Sequence, residues 1–264
     1  MKPILTLRLN ALPAGAKILD AGGWFNPCPV ATHAVDLMPY ETRRGRLDPN
    51  PVPGERFSKA TWHQADFLRE DLRLPFPDRF FDFSICTQTI EDLKDPSPLL
   101  RELARVSRAG YLESPSRLAE QTVGVRDRIN TRPGHPHHHW IADVTAGVLE
   151  LSAKSAIEDV PFFRYAVPLS VYERIMRVEA NAALCPFAWE HQLVFRLTRP
   201  EEAKRRAEQL HDSLNIKPFV VWQDRLIRAL RWVKRRGLRR RQDDPSGWWQ
   251  EMLRLSRPYS TIPL

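Results

Sequence analysis

Five short runs rich in β-branched and aromatic residues constrain the fold of this chain more than any other feature. Each leads into a polar residue or a glycine, and the runs are Lys17–Ala21, Thr32–Leu37, Thr61–Ala65, Phe80–Cys86 and Gly110–Glu113. Before the last run, residues 95–107 open with proline and serine and carry leucines at helical spacing, which predicts a crossover helix. This alternation is typical of an α/β fold wound around a parallel sheet.

The later part of the chain predicts additions to this sheet. Trp140–Lys154 alternates around Ala146 and Gly147, as a β-hairpin does, and Gln192–Thr198 is expected to be an antiparallel edge strand that closes the sheet. The segment 22–31 contains two prolines and is too short for a full crossover helix, so the first helix is expected to be very short or absent. We expect one domain over residues 1–198 and a helical extension over 199–264.

Polar residues and glycines at the strand ends predict a ligand site. The carboxyl ends of parallel strands meet at one edge of a sheet, so these side chains should converge. They are Asp20, Gly22, Gly23, Asp36, Asp66, Thr87, Gln88 and Glu113. Two glycines allow a ligand to approach the backbone, and an acid at the end of the next strand is placed to accept hydrogen bonds from ribose hydroxyls. A nucleoside ligand accounts for these positions, and an ordinary strand-to-loop turn is the alternative.

A dinucleotide such as NAD fits the same segment less well. The loop lacks the G-x-G-x-x-G pattern, and Pro27 and Pro29 remove backbone donors that a pyrophosphate needs.

Five stretches of the chain resemble a class I S-adenosylmethionine-dependent methyltransferase, most closely the type-11 methyltransferase-domain group. They are KILDAGGWFNP from Lys17, THAVDLMP from Thr32, WHQADF from Trp62, the segment from Leu74 to Arg117, and HHHWIADV from His137. The resemblance implies a Rossmann-like sheet of seven strands, six of them parallel, with helices on both faces. It also implies S-adenosylmethionine as the cofactor, bound across the strand ends.

The resemblance assigns roles to the same side chains. Asp20, Gly22 and Gly23 would form the turn near the methionine moiety, and Asp36 would hold the ribose. Asp66 would contact the adenine, while Thr87 and Gln88 would close the site. Trp24 stands where such enzymes commonly have a glycine, so its indole must fold away from the loop or stack on the cofactor. Glu91-Asp92 replaces the usual Glu-His pair.

Glu113 and His139 are the candidate catalytic bases, because a methyl acceptor that loses a proton needs a titratable group beside it. His139 belongs to a cluster with His135, His137 and His138 that lacks a cysteine or acid at zinc-ligand spacing, so we predict no bound metal. Asp82 is expected to be a buried structural acid with a backbone or basic partner.

The segment from Pro218 to Arg241 holds nine basic residues and one acid, whereas the rest of the chain has equal numbers of each. Trp222, Leu226, Leu230 and Val233 fall on one stripe of the predicted helix. Such a basic amphipathic helix is typical of an anionic membrane surface or of nucleic-acid binding, and the alternative is that the stripe docks on the rest of the protein.

Taken together, the sequence predicts an S-adenosylmethionine-dependent methyltransferase that acts on a small-molecule or saccharide-like acceptor. One alternative is a binding or scaffold protein that keeps this fold without turnover, and another is a nucleic-acid methyltransferase that uses the basic segment. No run of 18 uncharged apolar residues occurs and the N-terminus lacks a signal-peptide core, so we expect a cytoplasmic protein, or one peripheral at a membrane surface. The sequence does not indicate an oligomeric state.

Overall fold

A computed structural model describes residues 3–45, 50, 52–126, 128, 132–158 and 164–238. Residues 235–238 are described by their backbone alone. The chain divides into two compact units. The first contains the described residues up to Glu113 together with Pro186–Leu193, and the second contains Ser114–Cys185 and the described residues from Val194.

The first unit is built on a mostly parallel sheet. Its helices and strands are α1 (Pro3–Asn10), β1 (Ile18–Ala21), β2 (His33–Asp36), β3 (Trp62–Gln64), β4 (Phe83–Thr87), α2 (Ser97–Val106) and β5 (Ala109–Pro115). Together with β8 (Leu184–Glu190) the strands form one six-stranded sheet in the order β3-β2-β1-β4-β5-β8. Neighbours from β3 to β5 pair in parallel. The predicted Rossmann-like α/β class is therefore confirmed, with six strands in the main sheet instead of seven.

Burial explains why these segments form the centre of the unit. All four residues of β1 are buried, which requires packing on both faces of the sheet. Helix α2 buries Leu99, Leu100, Leu103 and Val106 completely, as its helical spacing predicts. No helix interrupts residues 22–31, which confirms the expectation for the first connection.

The second unit contains a smaller sheet. Its elements are α3 (Arg117–Gln121), β6 (Trp140–Thr145), β7 (Val148–Ala153), α4 (Ser155–Glu158), α5 (Leu169–Val178), β9 (Phe195–Leu197), α6 (Pro200–Ser213) and α7 (Pro218–Leu238). β6 and β7 pair antiparallel, and Ala146 and Gly147 both have positive φ, so the predicted hairpin is confirmed.

The prediction of an antiparallel edge strand over Gln192–Thr198 is wrong. Its strand, β9, pairs in parallel with β7 and completes a three-stranded sheet in the order β6-β7-β9. The outermost strand of the main sheet beside β5 is β8, which the sequence analysis did not identify. Alternation of apolar residues specifies a strand but not the strand with which it pairs, which explains the error.

Helix α6 packs against the small sheet through Ala203 and Ala207, which are both fully buried. Across the described ranges, no helix combines the length and the apolar character needed to cross a bilayer. The proposed division into residues 1–198 and 199–264 stays a prediction.

Candidate functional site

The turn after β1 is shaped by Asp20 and two glycines. Oδ2 of Asp20 accepts a hydrogen bond from the backbone N–H of Cys28 at 2.7 Å, which closes the loop over the strand end. A Cβ on Gly23 would lie 2.3 Å from this Oδ2, and a Cβ on Gly22, whose φ is +78°, would lie 2.1 Å from Oγ1 of Thr89. Only glycine fits at both positions.

The end of β2 places Asp36 beside this turn. Its Oδ2 accepts the backbone N–H of Trp24 at 3.0 Å, and its Oδ1 accepts that of Met38 at 2.9 Å. Parallel pairing of β1 and β2 sets Asp20 opposite Ala34, two residues before Asp36, so that both acids lie on one face at the carboxyl ends.

Burial strongly perturbs both carboxyl groups. Asp20 is 3% exposed and Asp36 is 7% exposed. Loss of water raises the pKa of Asp20 to about 7, with a further contribution from the charge of Asp36, and raises the pKa of Asp36 to about 6. In the part of the chain that the structure describes, neither acid forms an ion pair with a basic side chain. Two buried acids therefore lie together without a cation from these residues.

The Trp24 side chain is directed at the segment after β2. Its indole N–H lies 2.6 Å from the carbonyl oxygen and 3.0 Å from Oγ1 of Thr42. This segment is fastened by Glu55, a fully buried carboxylate that pairs with both Arg43 and Arg44. Sequence reasoning missed this cluster, because charged residues in a loop give no local signal of burial.

The ends of β4 and β5 bring Thr87, Gln88 and Glu113 together. Thr87 is opposite Glu113 in the parallel register, and Gln88, with φ of +53°, donates its backbone N–H to the carbonyl oxygen of Glu113 at 2.8 Å. The Glu113 carboxylate is buried and accepts the hydroxyl of Tyr111 at 2.6 Å. Tyr111 lies two residues earlier on the same strand face, so period-two spacing would have identified it.

Asp66 is buried just beyond β3, and its Oδ1 accepts the backbone N–H of Leu68 at 2.9 Å. A pocket of about 270 Å³ lies nearby at the β3 edge, between Tyr40, Glu41, Lys59 and Trp62. None of the predicted cofactor-binding residues lines it. Asp82 accepts the backbone N–H of Lys17 and pairs with Arg108, as expected, but its side chain is 31% exposed, so the expected burial is wrong.

His139 belongs to the second unit and is exposed. Its neighbour His138 is buried, and Nδ1 of His138 lies 2.7 Å from Oε1 of Glu120. Oε2 of Glu120 accepts a hydrogen bond from Nζ of the buried Lys154 at 2.6 Å. Burial opposes ionisation of Glu120, but its bonds to His138 and Lys154 hold the pKa of Glu120 below its usual value. This buried cluster was also missed, whereas the role of His139 as a base stays a prediction.

The site thus lies where open α/β sheets generally bind their ligands, at the carboxyl ends of the parallel strands. Residues 28–112 match a family described as a methyltransferase domain. About a third of the chain is thus similar to a methyltransferase domain. The matched region includes Asp36, Asp66, Thr87 and Gln88, and it begins after Asp20 and the two glycines.

Solved structures of S-adenosylmethionine-dependent methyltransferases are similar to parts of this chain. For the protein from Methanosarcina mazei the identity is 18%, the coverage is 44% of this chain and 59% of that one, and the TM-score is 0.32. The Aquifex aeolicus protein gives 19% identity, 44% and 65% coverage, and a TM-score of 0.31. The Mesorhizobium loti protein gives 14% identity, 78% coverage of both chains, and a TM-score of 0.35.

The chain spans between 49% and 65% of the length of the first solved structures that it matches. A comparison with the curated proteins gave no match.

Proposed function

We propose that this chain binds S-adenosylmethionine at the carboxyl ends of β1, β2 and β4 and transfers its methyl group to a small-molecule or saccharide-like acceptor. The observation that carries the proposal is the pair of buried carboxylates, Asp20 and Asp36, with no cation from the described residues beside them. S-adenosylmethionine bears a sulfonium and an ammonium group, so it brings the positive charge that favours ionisation of these acids.

The geometry of Asp36 suits a ribose. Its carboxylate accepts backbone N–H groups, among them those of Trp24 and Met38, and with about four acceptor sites a carboxylate keeps capacity for a hydroxyl donor. Gly22 and Gly23 form the turn that would face the methionine moiety. Asp66 would contact the adenine, and Thr87 and Gln88 would close the site. The bound cofactor supplies an electrophilic methyl group on sulfur.

Methyl transfer is an in-line displacement, and the protein contributes mainly by aligning the acceptor and removing its proton. Glu113 is our first candidate for the base, because Tyr111 fixes its carboxylate at the end of β5. His139 is the second candidate. The acceptor is proposed to be small because, outside the C-terminal basic segment, basic and acidic residues are equal in number and offer no excess charge for nucleic-acid phosphates.

A second candidate function is a binding protein that keeps this fold without turnover. It is favoured by one observation, that both oxygens of Asp36 already accept hydrogen bonds from the protein's own backbone. In that case the acids would serve to hold the loops after β1 and β2 together.

Isothermal titration calorimetry with S-adenosylmethionine and with S-adenosylhomocysteine separates the two functions. We expect both compounds to bind, and the charged cofactor to bind more tightly near neutral pH. Heat signals at the level of dilution for both compounds would contradict the methyltransferase proposal. If both bind, transfer of radiolabelled methyl groups to a panel of small hydroxylated and saccharide acceptors then tests turnover.

A further inference from the structure

Helix α7, Pro218–Leu238, packs on its own unit in an unusual way. Among the side chains described up to Lys234, the buried ones are polar: Asp224 and Arg228 are 7% and 6% exposed and form an ion pair at 2.8 Å. Oδ1 of Asp224 also accepts the backbone N–H of Leu169 at 3.1 Å. Val220, which is partly buried, packs against a hydrophobic cluster of the same unit. Asp224, Arg228 and Val220 thereby fix one side of the helix to the second unit.

The apolar side of α7 is left exposed. Trp222 is 72% exposed, Leu230 and Val233 are each 61% exposed, and Leu226 is 60% exposed. At about 100° per residue, these side chains lie roughly 160–240° around the helix axis from Asp224, opposite the packed edge. The alternative stated above, that this stripe packs on the rest of the protein, is therefore wrong for the part of the chain that the structure describes. A contiguous exposed apolar surface of this kind marks an interaction site.

The charges beside the stripe identify its partner. Arg225 and Lys234 are both exposed and flank the stripe on its two sides. Asp224 is the one acid between Pro218 and Arg241, and it is buried and neutralised by Arg228. The exposed surface of this helix therefore presents cations around an apolar centre. The one acid of the segment from Pro218 to Arg241 does not lie on that surface.

We infer that α7 lies on an anionic membrane surface, with its apolar stripe in the acyl boundary and the flanking cations among the lipid headgroups. The arrangement matches interfacial helices, in which buried apolar area and attraction to anionic lipids act together. A nucleic acid would need cations at the centre of the exposed face. A second copy of the same helix would bring like charges together on both sides of the stripe. This inference does not depend on methyltransferase activity.

Co-sedimentation of the full chain with lipid vesicles tests the inference. We expect binding to vesicles that contain phosphatidylserine, and much weaker binding to phosphatidylcholine alone. The double variant Leu226→Ser/Leu230→Ser should bind at least about tenfold more weakly, because it removes the apolar anchor. Lys234→Gln should weaken binding about fivefold at low salt.

Val178→Ser is the matched control, because Val178 is an apolar residue 90% exposed at the end of α5, a helix that does not carry the stripe. It should bind vesicles like the unchanged protein. Equal binding of the leucine double variant would overturn the inference, and so would equal binding to both types of vesicle. The inference also fails if the leucine variant loses RNA binding or self-association while the unchanged chain ignores vesicles. Circular dichroism confirms that the variants keep their helix content.

Discussion

The backbone N–H of Trp24 donates to Oδ2 of Asp36 across 3.0 Å and so joins the loop after β1 to the end of β2. Trp24 stands at the position where the resemblance leads one to expect glycine. Because the donor belongs to the backbone, this bond does not need a tryptophan, and the indole separately fastens the loop to Thr42. Tryptophan at position 24 therefore keeps the backbone hydrogen bond to Asp36 and adds a second hydrogen bond, from its indole to Thr42.

Replacement of Asp36 by alanine is expected to lower the affinity for S-adenosylmethionine by at least about tenfold, because it removes charge-assisted hydrogen bonds to the ribose. Calorimetry measures the loss. Asp71→Ala is the control, since Asp71 is exposed and pairs only with Arg69 among the described contacts. Unchanged affinity in the Asp36 variant would contradict the ribose assignment.

The raised pKa of Asp20 predicts a pH dependence of stability. Its folded-state pKa is about 7, whereas the unfolded value is near 3.8, so the folded protein holds the proton more tightly. This stabilisation is complete below the unfolded pKa and is lost as the pH rises through about 7. Asp20→Asn removes the dependence and still accepts the Cys28 N–H. The free energy of unfolding of the variant minus that of the unchanged protein should therefore increase by at least about 1 kcal/mol as the pH rises from about 5 to about 8.

Urea titrations of both proteins across this pH range measure the difference. The comparison between variants is needed because other acids, such as Glu102, have a lowered pKa and act in the opposite direction. If the difference in free energy of unfolding between the two proteins does not change with pH, the pKa of Asp20 is not raised by folding.

Gly23→Ala is expected to destabilise the first unit by about 1–3 kcal/mol and to weaken cofactor binding, since its Cβ would clash with the Asp20 carboxylate. Thermal unfolding and calorimetry report the two effects. Gly15→Ala is a useful comparison, because its Cβ meets no atom within 4 Å and its cost reflects only the strain of φ at +83°. Wild-type affinity in Gly23→Ala would indicate that the Asp20 turn lies outside the site.

Glu113→Gln is expected to lower kcat by about 100-fold or more while leaving the affinity for S-adenosylmethionine unchanged, because the base acts on the acceptor. Tyr111→Phe, which removes the hydroxyl that donates to the Glu113 carboxylate, should have a smaller effect on kcat. The assay is single-turnover methyl transfer once an acceptor is known. If His139→Ala alone abolishes turnover, His139 is the base instead.

Glu120→Gln should destabilise the second unit by about 3–5 kcal/mol, because it leaves Lys154 as a buried charge without its counterion. Hydrogen exchange should show faster opening of β7 than of β1. Glu208→Gln provides the control, since Glu208 is 46% exposed and pairs with an exposed Arg164. Equal stability of the two variants would contradict a structural role for Glu120.

The sequence alone determined the strands β1 to β5, helix α2, the hairpin at Ala146-Gly147 and the glycine turn beside Asp20. Period, helical spacing and turn chemistry are local properties, so they can be recognised from neighbouring residues. Tertiary structure decided that β9 pairs with β7, that β8 lies beside β5, and that Glu120 meets Lys154. These relationships depend on which distant segments come into contact, and on the charge pairing that burial then requires, neither of which a local pattern specifies.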